Sequence, residues 1–308
     1  MFRKTCYMYT PCVRLVARYA PIIFVLLWST GFVGAKYILP YADPFVFLTL
    51  RYALATIILG LIARILREPL KLSREQLYQS AKVGLFLQVI YIGGVFYSVS
   101  HGVTAGVTAV IVSLQPILVS ILGVKVLNEN LTSRKIAGLV LGFVGVLILL
   151  NPQILHGKLN LQFSTIGILA SLVALFGTTS GYVLQKRDGG EIPFLAGTFV
   201  QFAVATIIFG IGASIFEKWH IDFDIRFIIA LSWIVLALSI GSIFLLFFLL
   251  KHESASSVSS LYYLVPPLTT LQAYVIFHEV IPPAGFLGLF LAVTGTILVT
   301  RKSRVENH

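Results

Sequence analysis

Long apolar runs separated by short polar segments extend along almost the whole 308-residue chain. Each run reaches roughly the 20 apolar residues that an α-helix needs to cross a hydrocarbon core. The short alternating segments of a membrane barrel are absent, so the pattern predicts an all-α integral membrane fold. Ten transmembrane helices are predicted, at residues 20–39, 45–65, 79–100, 103–127, 134–150, 163–185, 194–216, 227–250, 255–277 and 282–300.

The sequence also repeats itself weakly at an offset of 150 residues. The segment Trp28-Ser-Thr-Gly31-Phe-Val-Gly-Ala-Lys36 returns as Thr178-Thr-Ser-Gly181-Tyr-Val-Leu-Gln-Lys186, and residues 53–58 return as 203–208. Each copy contains five predicted helices. Because five is an odd number, the second copy must enter the membrane in the opposite orientation, so we predict two inverted five-helix repeats.

Composition supports the membrane interpretation and excludes an ordinary soluble domain. The chain is 57% hydrophobic and 11% charged, with a mean hydropathy of +0.93, whereas soluble domains average about 25% charged residues. The net charge of +11 comes from lysines and arginines in alternate loops. We therefore expect no nucleic-acid partner.

The distribution of basic residues predicts the orientation in the membrane. Of the 23 lysines and arginines, 18 lie in the N-terminal segment, the even-numbered loops and the C-terminal tail, and four lie in the odd-numbered loops. By the positive-inside rule, both termini should face the cytoplasm of a cell (inner) membrane. The basic loops also differ between the two copies, as expected for inverted repeats.

Four segments follow from the repeat and from the turn-rich stretch Asn151 to Lys158. They are a cytoplasmic N-terminal extension (1–19), a first five-helix repeat (20–152), a second five-helix repeat (153–302) and a cytoplasmic tail (303–308). Both cysteines, Cys6 and Cys12, precede the first predicted helix. No disulfide framework, metal site or cofactor is therefore predicted.

The fourth predicted helix of each copy contains proline and ends in glutamate, and a glycine-spaced fifth helix follows it. The first copy reads Gln115-Pro116, Asn128-Glu129 and Gly138 to Gly145, and the second reads Pro266-Pro267, His278-Glu279 and Gly288 to Gly295. With Trp28-Ser-Thr-Gly31-Phe, Pro44 and Arg51, this pattern resembles the EamA-type ten-helix carriers of the drug/metabolite transporter superfamily, over about residues 20–302.

The resemblance implies a secondary transporter that moves small metabolites, amino acids or related compounds, outward by alternating access. The motive force would be a proton or substrate gradient, since the chain lacks a P-loop. The expected partners are a small-molecule substrate and the lipid bilayer, with a homodimer left open. Two alternatives are an integral-membrane enzyme, which the lack of a catalytic motif disfavours, and a lipid or headgroup flippase.

Prolines supply the hinge candidates, which are Pro116, Pro266 and Pro267. A proline inside a helix removes a backbone hydrogen bond and clashes with the preceding turn, so each should bend or locally open its helix. One interpretation is a fixed kink. The other is a hinge that moves during transport, and it is favoured by the matching position in both copies.

Arg51 is the only ionisable residue placed well inside a predicted helix. A charge at membrane depth calls for a partner or an aqueous cavity, and a guanidinium suits a carboxylate or phosphate. The alternative is that Arg51, eight residues after Asp43, extends to the outer surface or stabilises helix ends. Its equivalent in the second copy is the uncharged Gln201.

Aromatic and amide residues at mid-helix positions complete the substrate-binding candidates. They are suited to a largely apolar cavity with few polar groups, although each is also typical of a helix core or a membrane interface. The candidates are Trp28, Arg51, Gln88, Tyr91, Gln115, Trp233, Tyr262, Tyr263 and Gln272. Substrate choice is expected where the two copies differ, as at Trp28 and Thr178, Arg51 and Gln201, or Ser113 and Tyr263.

Overall fold

The structure is a computed structural model. It describes residues 11–38, 40–103, 108, 111–128, 131–155, 164–265, 267–268, 271–272 and 283–300. Pro266, Glu129 and Glu279 lie outside these residues. Helices account for most of the described chain, which contains no β-strand beyond an isolated bridge between Ala42 and Ile221.

We number the helices from the N-terminus. They are α1 (Pro11–Ile38), α2 (Pro44–Leu66), α3 (Arg74–Ser100), α4 (Gln115–Leu127), α5 (Ser133–Leu155), α6 (Thr165–Asp188), α7 (Phe194–Phe216), α8 (Ile225–His252), α9 (Ala255–Ser260) and α10 (Pro283–Thr300). Short 3₁₀ helices follow α6 at Gly189–Glu191 and α9 at Leu261–Leu264.

Local sequence explains several helix ends. Ser73 begins α3 with a capping box, in which its side chain accepts from the Gln76 N–H and the Gln76 side chain accepts from the Ser73 N–H. Asp224 caps α8 by accepting from the Arg226 N–H at 2.7 Å. Pro44 stands in the first turn of α2, where its missing N–H costs nothing. The helix ends at Arg67, which has a left-handed backbone with φ of 55°.

Among the described residues, five helical stretches are long and apolar enough to cross a membrane. They are Pro44–Leu66, Arg74–Ser100, Thr165–Glu191, Phe194–Phe216 and Ile225–His252. Shorter apolar helices lie at Tyr19–Gly31, Gln115–Leu127 and Phe286–Thr300. The prediction of an all-helical membrane protein is confirmed, and the predicted spans 45–65 and 194–216 match α2 and α7 to within one residue.

Helices α3 and α8, which occupy the third place in each copy, both contain a π-helical segment. The segments are Leu85–Gly93 and Ile234–Ser242, which correspond to within one residue at the 150-residue offset. Segments of π-helix are rare and frequently accompany functional sites. The first contains Gln88 and Tyr91, and the second contains Ser239.

The prolines mark helix interruptions rather than bends within continuous helices. Pro116 lies in the first turn of α4, directly after a turn at 113–114. In the second copy, the 3₁₀ helix Leu261–Leu264 interrupts the chain at the corresponding place, shortly before Pro267. Pro116 therefore stands where its missing N–H leaves no hydrogen bond broken. The interruption corrects the expectation of a mid-helix proline at Pro116.

Two helix pairs pack antiparallel through glycines. In the pair α2 and α7, a Cβ on Gly60 would lie 3.3 Å from the Phe199 ring, and one on Gly210 would lie 3.6 Å from Thr49. In the pair α5 and α10, a Cβ on Gly138 would lie 2.7 Å from the Gly295 carbonyl oxygen. Small residues allow such close backbone approach in membrane proteins.

The N-terminus of α2 is tied to the C-terminus of α7. The Glu217 carboxylate accepts hydrogen bonds from the N–H groups of Phe45 and Val46, at 2.9 and 2.8 Å. A carboxylate at this end of a helix also interacts favourably with the helix dipole. The α2 and α7 pair is therefore joined at one end by a polar contact and along its length by packing.

Candidate functional site

Buried polar and aromatic side chains from seven helices meet in the interior of the bundle. We call this group the central cluster. Its members are Trp28 of α1, Arg51 and Tyr52 of α2, Gln88 and Tyr91 of α3, Gln115 of α4, Tyr182 of α6, Ser239 of α8 and Tyr262 after α9. Each is at most 8% exposed.

Aromatic rings form one side of the central cluster. The Trp28 and Tyr262 ring centroids are 5.5 Å apart in an edge-on arrangement, and those of Tyr182 and Tyr262 are 5.6 Å apart. The Trp28 side chain also lies near the Tyr91 hydroxyl. Edge-to-face rings of this kind provide a rigid apolar surface. Three separate parts of the chain, α1, α6 and the 3₁₀ helix after α9, are thereby brought together.

The central cluster contains polar atoms that have no hydrogen-bond partner in the described part of the chain. Both amide atoms of Gln115 are unpaired, as are the hydroxyls of Tyr182 and Tyr262 and the Nε2 atom of Gln88. The Tyr182 hydroxyl lies near Gln115 and Tyr262 but completes no hydrogen bond with either. Because an unpaired buried polar atom costs about 1–3 kcal/mol, such a concentration calls for water or a ligand.

Gln88 is half satisfied. Its Oε1 atom accepts a hydrogen bond from the Tyr52 hydroxyl at 2.9 Å, whereas its Nε2 donor is unpaired. The Tyr52 ring in turn packs on Phe202 and Phe209 of α7, with centroids 5.4 and 5.8 Å apart. Gln88 is thus held in place from one side and presents free donors on the other.

Arg51 is buried, at 7% exposure, and does not extend to the surface as the alternative interpretation required. Its Nε atom donates to the Ser239 hydroxyl of α8 at 2.8 Å, and its guanidinium carbon lies 5.1 Å from the centre of the Tyr52 ring. These contacts hold the base of the guanidinium. Among the described residues, no hydrogen bond is found for its two terminal nitrogens.

The charge of Arg51 is not neutralised by a carboxylate in the described part of the chain. The described acidic residues lie at helix ends or in connections. A buried guanidinium without an anionic partner is costly, so an anionic ligand group would be bound favourably here. The described residues also contain no group of histidine, cysteine and acidic side chains that could hold a metal ion.

The structure brings most, but not all, of the predicted site residues together. Trp28, Arg51, Gln88, Tyr91, Gln115 and Tyr262 belong to the central cluster. Gln272 borders it, because its Nε2 atom donates to the hydroxyl of Ser29, beside Trp28, at 2.8 Å.

Two predicted residues lie elsewhere. Tyr263 is fully buried in a separate small cluster with Leu139, Val146 and Val299, against α5 and α10. Trp233 is 48% exposed on the outside of α8, where its indole N–H donates to Thr30 at 2.9 Å. Neither side chain reaches the central cluster.

Three members of the central cluster, Tyr52, Tyr182 and Ser239, were not among the predicted residues. Tyr52 directly follows Arg51, and Tyr182 directly follows Gly181 of the repeated motif. A search for polar aromatic residues beside those landmarks would have found both. Ser239 carries no sequence signal, because a lone serine in an apolar helix is common.

Comparison with known proteins assigns the fold to a transporter family. The profile of the EamA-like transporter family matches residues 19–151 and again residues 165–301. An uncharacterized transporter of Bacillus subtilis, YvbV, is 26% identical over 92% of this chain and 90% of its own length. A "Probable amino-acid metabolite efflux pump" of Escherichia coli is 22% identical over 89% of this chain and 91% of its own length.

A solved crystal structure has the same fold. It superposes with a TM-score of 0.77 at 18% sequence identity, and the match covers 94% of this chain and 98% of that chain. The family and the named relatives are transporters, which decides against the integral-membrane enzyme.

Proposed function

Because the chain belongs to the EamA-like transporter family, we propose that it exports a small metabolite carrying a carboxylate, such as an amino acid or a related compound. The substrate binds in the central cluster, and the protein works by alternating access. The buried guanidinium of Arg51, without a carboxylate partner among the described residues, carries the proposal. The name of the Escherichia coli relative supports the choice of amino acids.

The proposal assigns distinct tasks to the members of the central cluster. Arg51 binds the carboxylate through its two terminal nitrogens, and Ser239 and Tyr52 fix its orientation. Gln88 and Gln115 offer unpaired amide groups to polar parts of the substrate. Trp28 and Tyr262 pack against an apolar portion. A few placed polar groups within an aromatic surface are typical of small-molecule sites.

Two inverted five-helix repeats, ten helices in all, are the architecture that we propose for alternating access. Reciprocal contacts support it. A Cβ on Gly138 would lie 2.7 Å from the Gly295 carbonyl oxygen. A Cβ on Gly145 would lie 2.7 Å from the Gly288 carbonyl oxygen. Residues 288 and 295 lie 150 positions after residues 138 and 145. A twofold rotation that exchanges the two copies would therefore exchange the two contacts. The two matches of one family profile are also in keeping with a duplication.

The site then lies between the repeats, as in other transporters built in this way. The helix interruption before Pro116 and the π-helical segments of α3 and α8 are the places where we expect local rearrangement. Both kinds of irregularity adjoin the central cluster, since Gln115 begins α4 and Gln88 lies in a π-helical segment. Their movement would change access to the substrate.

Because the even-numbered loops are rich in basic residues, we place both termini in the cytoplasm.

Transport by the purified protein in proteoliposomes tests this function. Radiolabelled amino acids, organic acids and amines would be screened in the same vesicles. For a carboxylate substrate, Arg51→Gln should raise KM about ten- to hundredfold, because a hydrogen bond to a charged group contributes about 1.5–3 kcal/mol. Arg51→Lys should be intermediate, since lysine keeps the charge but loses the planar pair of donors.

Arg64→Gln is the matched control, because Arg64 lies on the same helix but is exposed near its end. This variant should transport normally. The proposed role of Arg51 is wrong if Arg51→Gln transports every carboxylate as well as the parent. Preference for an amine without a carboxylate, or movement of labelled lipid instead of soluble metabolites, would contradict the proposed substrate class.

A further inference from the structure

A second polar cavity lies apart from the central cluster, between α3, α6 and α7. We call it the Gln201 cleft. It is an open cleft with about 240 Å³ of empty space, part of it continuous with the surroundings. Its lining includes Ser80, Gln185, Ile192, Phe194, Thr198 and Gln201. The enclosed part of the cleft has room only for a small group of atoms.

Two buried polar atoms in the cleft have no partner in the described part of the chain. They are the hydroxyl oxygen of Ser80 and the Oε1 atom of Gln201, on residues that are 1% and 3% exposed. The Nε2 atom of Gln201 is used, because it donates to the Oε1 atom of Gln185 at 3.3 Å. Since an unpaired buried polar atom is costly, these two atoms point to a bound group that complements them.

The lining offers three hydrogen-bond acceptors, besides the donors of the Ser80 hydroxyl and the Gln185 amide nitrogen. Gln201 Oε1 can only accept, and the Ser80 oxygen can accept. The Thr198 hydroxyl already donates to the Phe194 carbonyl at 2.8 Å, so its remaining capacity is also that of an acceptor. None of the lining residues is charged. The Phe194 ring and the Ile192 side chain add an apolar wall, and an aromatic ring attracts cations.

We infer that the Gln201 cleft is a second binding site, which takes the ammonium end of a small primary amine. Its hydrogen atoms are donated to Gln201 Oε1 and to the Ser80 and Thr198 oxygens, while a short alkyl part packs against Ile192 and Phe194. Gly197 keeps the cleft open, because a Cβ there would lie 3.4 Å from the Ser80 oxygen and 2.9 Å from Ile192.

Gln201, which lines the cleft, is the residue of the second copy that is equivalent to Arg51 of the first copy at the 150-residue offset. Both residues occupy the eighth position of their helices, α2 and α7, which run antiparallel. The two sites therefore lie toward opposite ends of that helix pair. One carries a positive charge and the other is neutral with acceptor atoms, so the two sites select different ligand groups.

Protection of a nearby thiol tests the site without any transport measurement. In a full-length Cys6→Ser, Cys12→Ser background, Ile192→Cys would place a thiol in the lining and Glu191→Cys would place one on the exposed neighbouring residue. The purified protein in detergent would react with the neutral reagent methyl methanethiosulfonate. Ethylammonium chloride is the probe, with sodium propionate at equal ionic strength as the anionic counterpart.

We expect ethylammonium at about ten times its Kd to slow labelling of the Ile192→Cys thiol about tenfold, because only the unoccupied fraction of the protein reacts. Propionate should not slow it, and labelling at Glu191→Cys should not change with either salt. Adding Gln201→Leu or Ser80→Ala should abolish or reduce the protection. Ser80→Ala removes an unpaired buried group, whereas Gln201→Leu also removes the hydrogen bond to Gln185, so gel filtration in detergent checks that both variants fold.

Three results would overturn the inference. They are no slowing by ethylammonium, equal slowing by propionate, and protection that persists when both Gln201→Leu and Ser80→Ala are present. Because the readout is thiol reactivity, its failure would leave carboxylate transport through Arg51 intact. Conversely, loss of that transport activity would not affect the protection result.

Discussion

Individual polar residues in the interior of this protein are better explained by ligand binding than by stability. The hydroxyl of Tyr182 is fully buried and unpaired, whereas the hydroxyl of Tyr52 bonds to Gln88 at 2.9 Å. An unpaired buried group lowers the stability of the folded protein, and a paired one maintains it. The two tyrosines therefore form a matched pair for separating the two roles.

Tyr182→Phe should leave the thermal stability unchanged or raise it, because it removes an unpaired hydroxyl. Tyr52→Phe should lower the stability by about 1–3 kcal/mol, because it leaves Gln88 Oε1 buried without a donor. Thermal unfolding of both variants in the same detergent measures the difference. If the Tyr182 hydroxyl binds substrate, Tyr182→Phe should also raise KM in the proteoliposome assay.

A Tyr182→Phe protein that melts well below the parent would show that the hydroxyl makes a structural hydrogen bond. Equal losses in the two variants would contradict the distinction between paired and unpaired hydroxyls. A stable Tyr182→Phe protein with unchanged KM would exclude this hydroxyl from substrate binding while leaving Arg51 in its role.

Glu217, at the junction of α7 and α2, gives a prediction about pH. Partial burial raises the pKa of the Glu217 carboxyl above its ordinary value of 4.5, while the N–H groups of Phe45 and Val46 lower it and the charge of Asp43 raises it. The folded protein therefore holds this proton more strongly than the unfolded chain. Its contribution to stability is complete below pH 4.5 and is lost as the pH rises through the raised pKa.

Glu217→Gln removes this titration. The difference in unfolding temperature, parent minus variant, should accordingly decrease as the pH rises from below 4.5 to neutrality. A difference that increases with pH would indicate that the hydrogen bonds to α2 outweigh burial of the carboxylate.

Residue type and helix position were enough to predict part of the site. Arg51 was identified because a lone charge in an apolar helix is conspicuous, and Gln88 and Gln115 because amides are unusual there. The sequence could not separate Tyr262 from Tyr263, which are adjacent. The 3₁₀ helix that contains both directs them into different clusters, and that geometry depends on packing against α1 and α5.

At the scale of elements, a close backbone contact joins α5 and α10. A Cβ on Gly295 would contact the Gly142 N–H group and would lie 2.5 Å from the Gly138 carbonyl oxygen. These are backbone atoms, which cannot move aside as a flexible side chain can. The pair is held by packing between helices, which is the main source of helix association in lipid.

Gly295→Ala should therefore force α5 and α10 apart and lower stability by about 1–3 kcal/mol, as overpacking of a close interface does. Gly210→Ala is the matched control on a membrane helix, because its only close neighbour would be the Thr49 methyl group at 3.6 Å. Thermal unfolding and gel filtration in detergent would compare the two. Equal stability of both variants would contradict the close α5 and α10 packing.

Helix positions could be predicted much better than helix irregularities. The bounds of α2 and α7 follow from apolar length and flanking prolines, which are local properties. The π-helical segments Leu85–Gly93 and Ile234–Ser242 have no comparable local signal. The repeat is informative here, because the segments fall at corresponding places in both copies. The interruption before Pro116 likewise depends on how α4 packs, although its proline points to the region.

At the scale of the whole molecule, the proposed inverted arrangement makes a prediction about sidedness. Glu68 follows α2 and Lys218 follows α7, and the two positions are equivalent at the 150-residue offset. Both are exposed. In an inverted duplication, equivalent loops lie on opposite sides of the membrane, whereas in a parallel duplication they lie on the same side.

Glu68→Cys and Lys218→Cys, each in a Cys6→Ser, Cys12→Ser background, should be labelled from opposite sides by a membrane-impermeant maleimide. Because the loop after α2 is rich in basic residues, the Glu68→Cys thiol should be protected in intact cells and the Lys218→Cys thiol should react. Permeabilised cells serve as the control, since both thiols should then react. Labelling of both from the same side would exclude inversion. Labelling of Glu68→Cys alone would keep inversion and reverse the orientation, because the charge rule and the duplication are separate physical arguments.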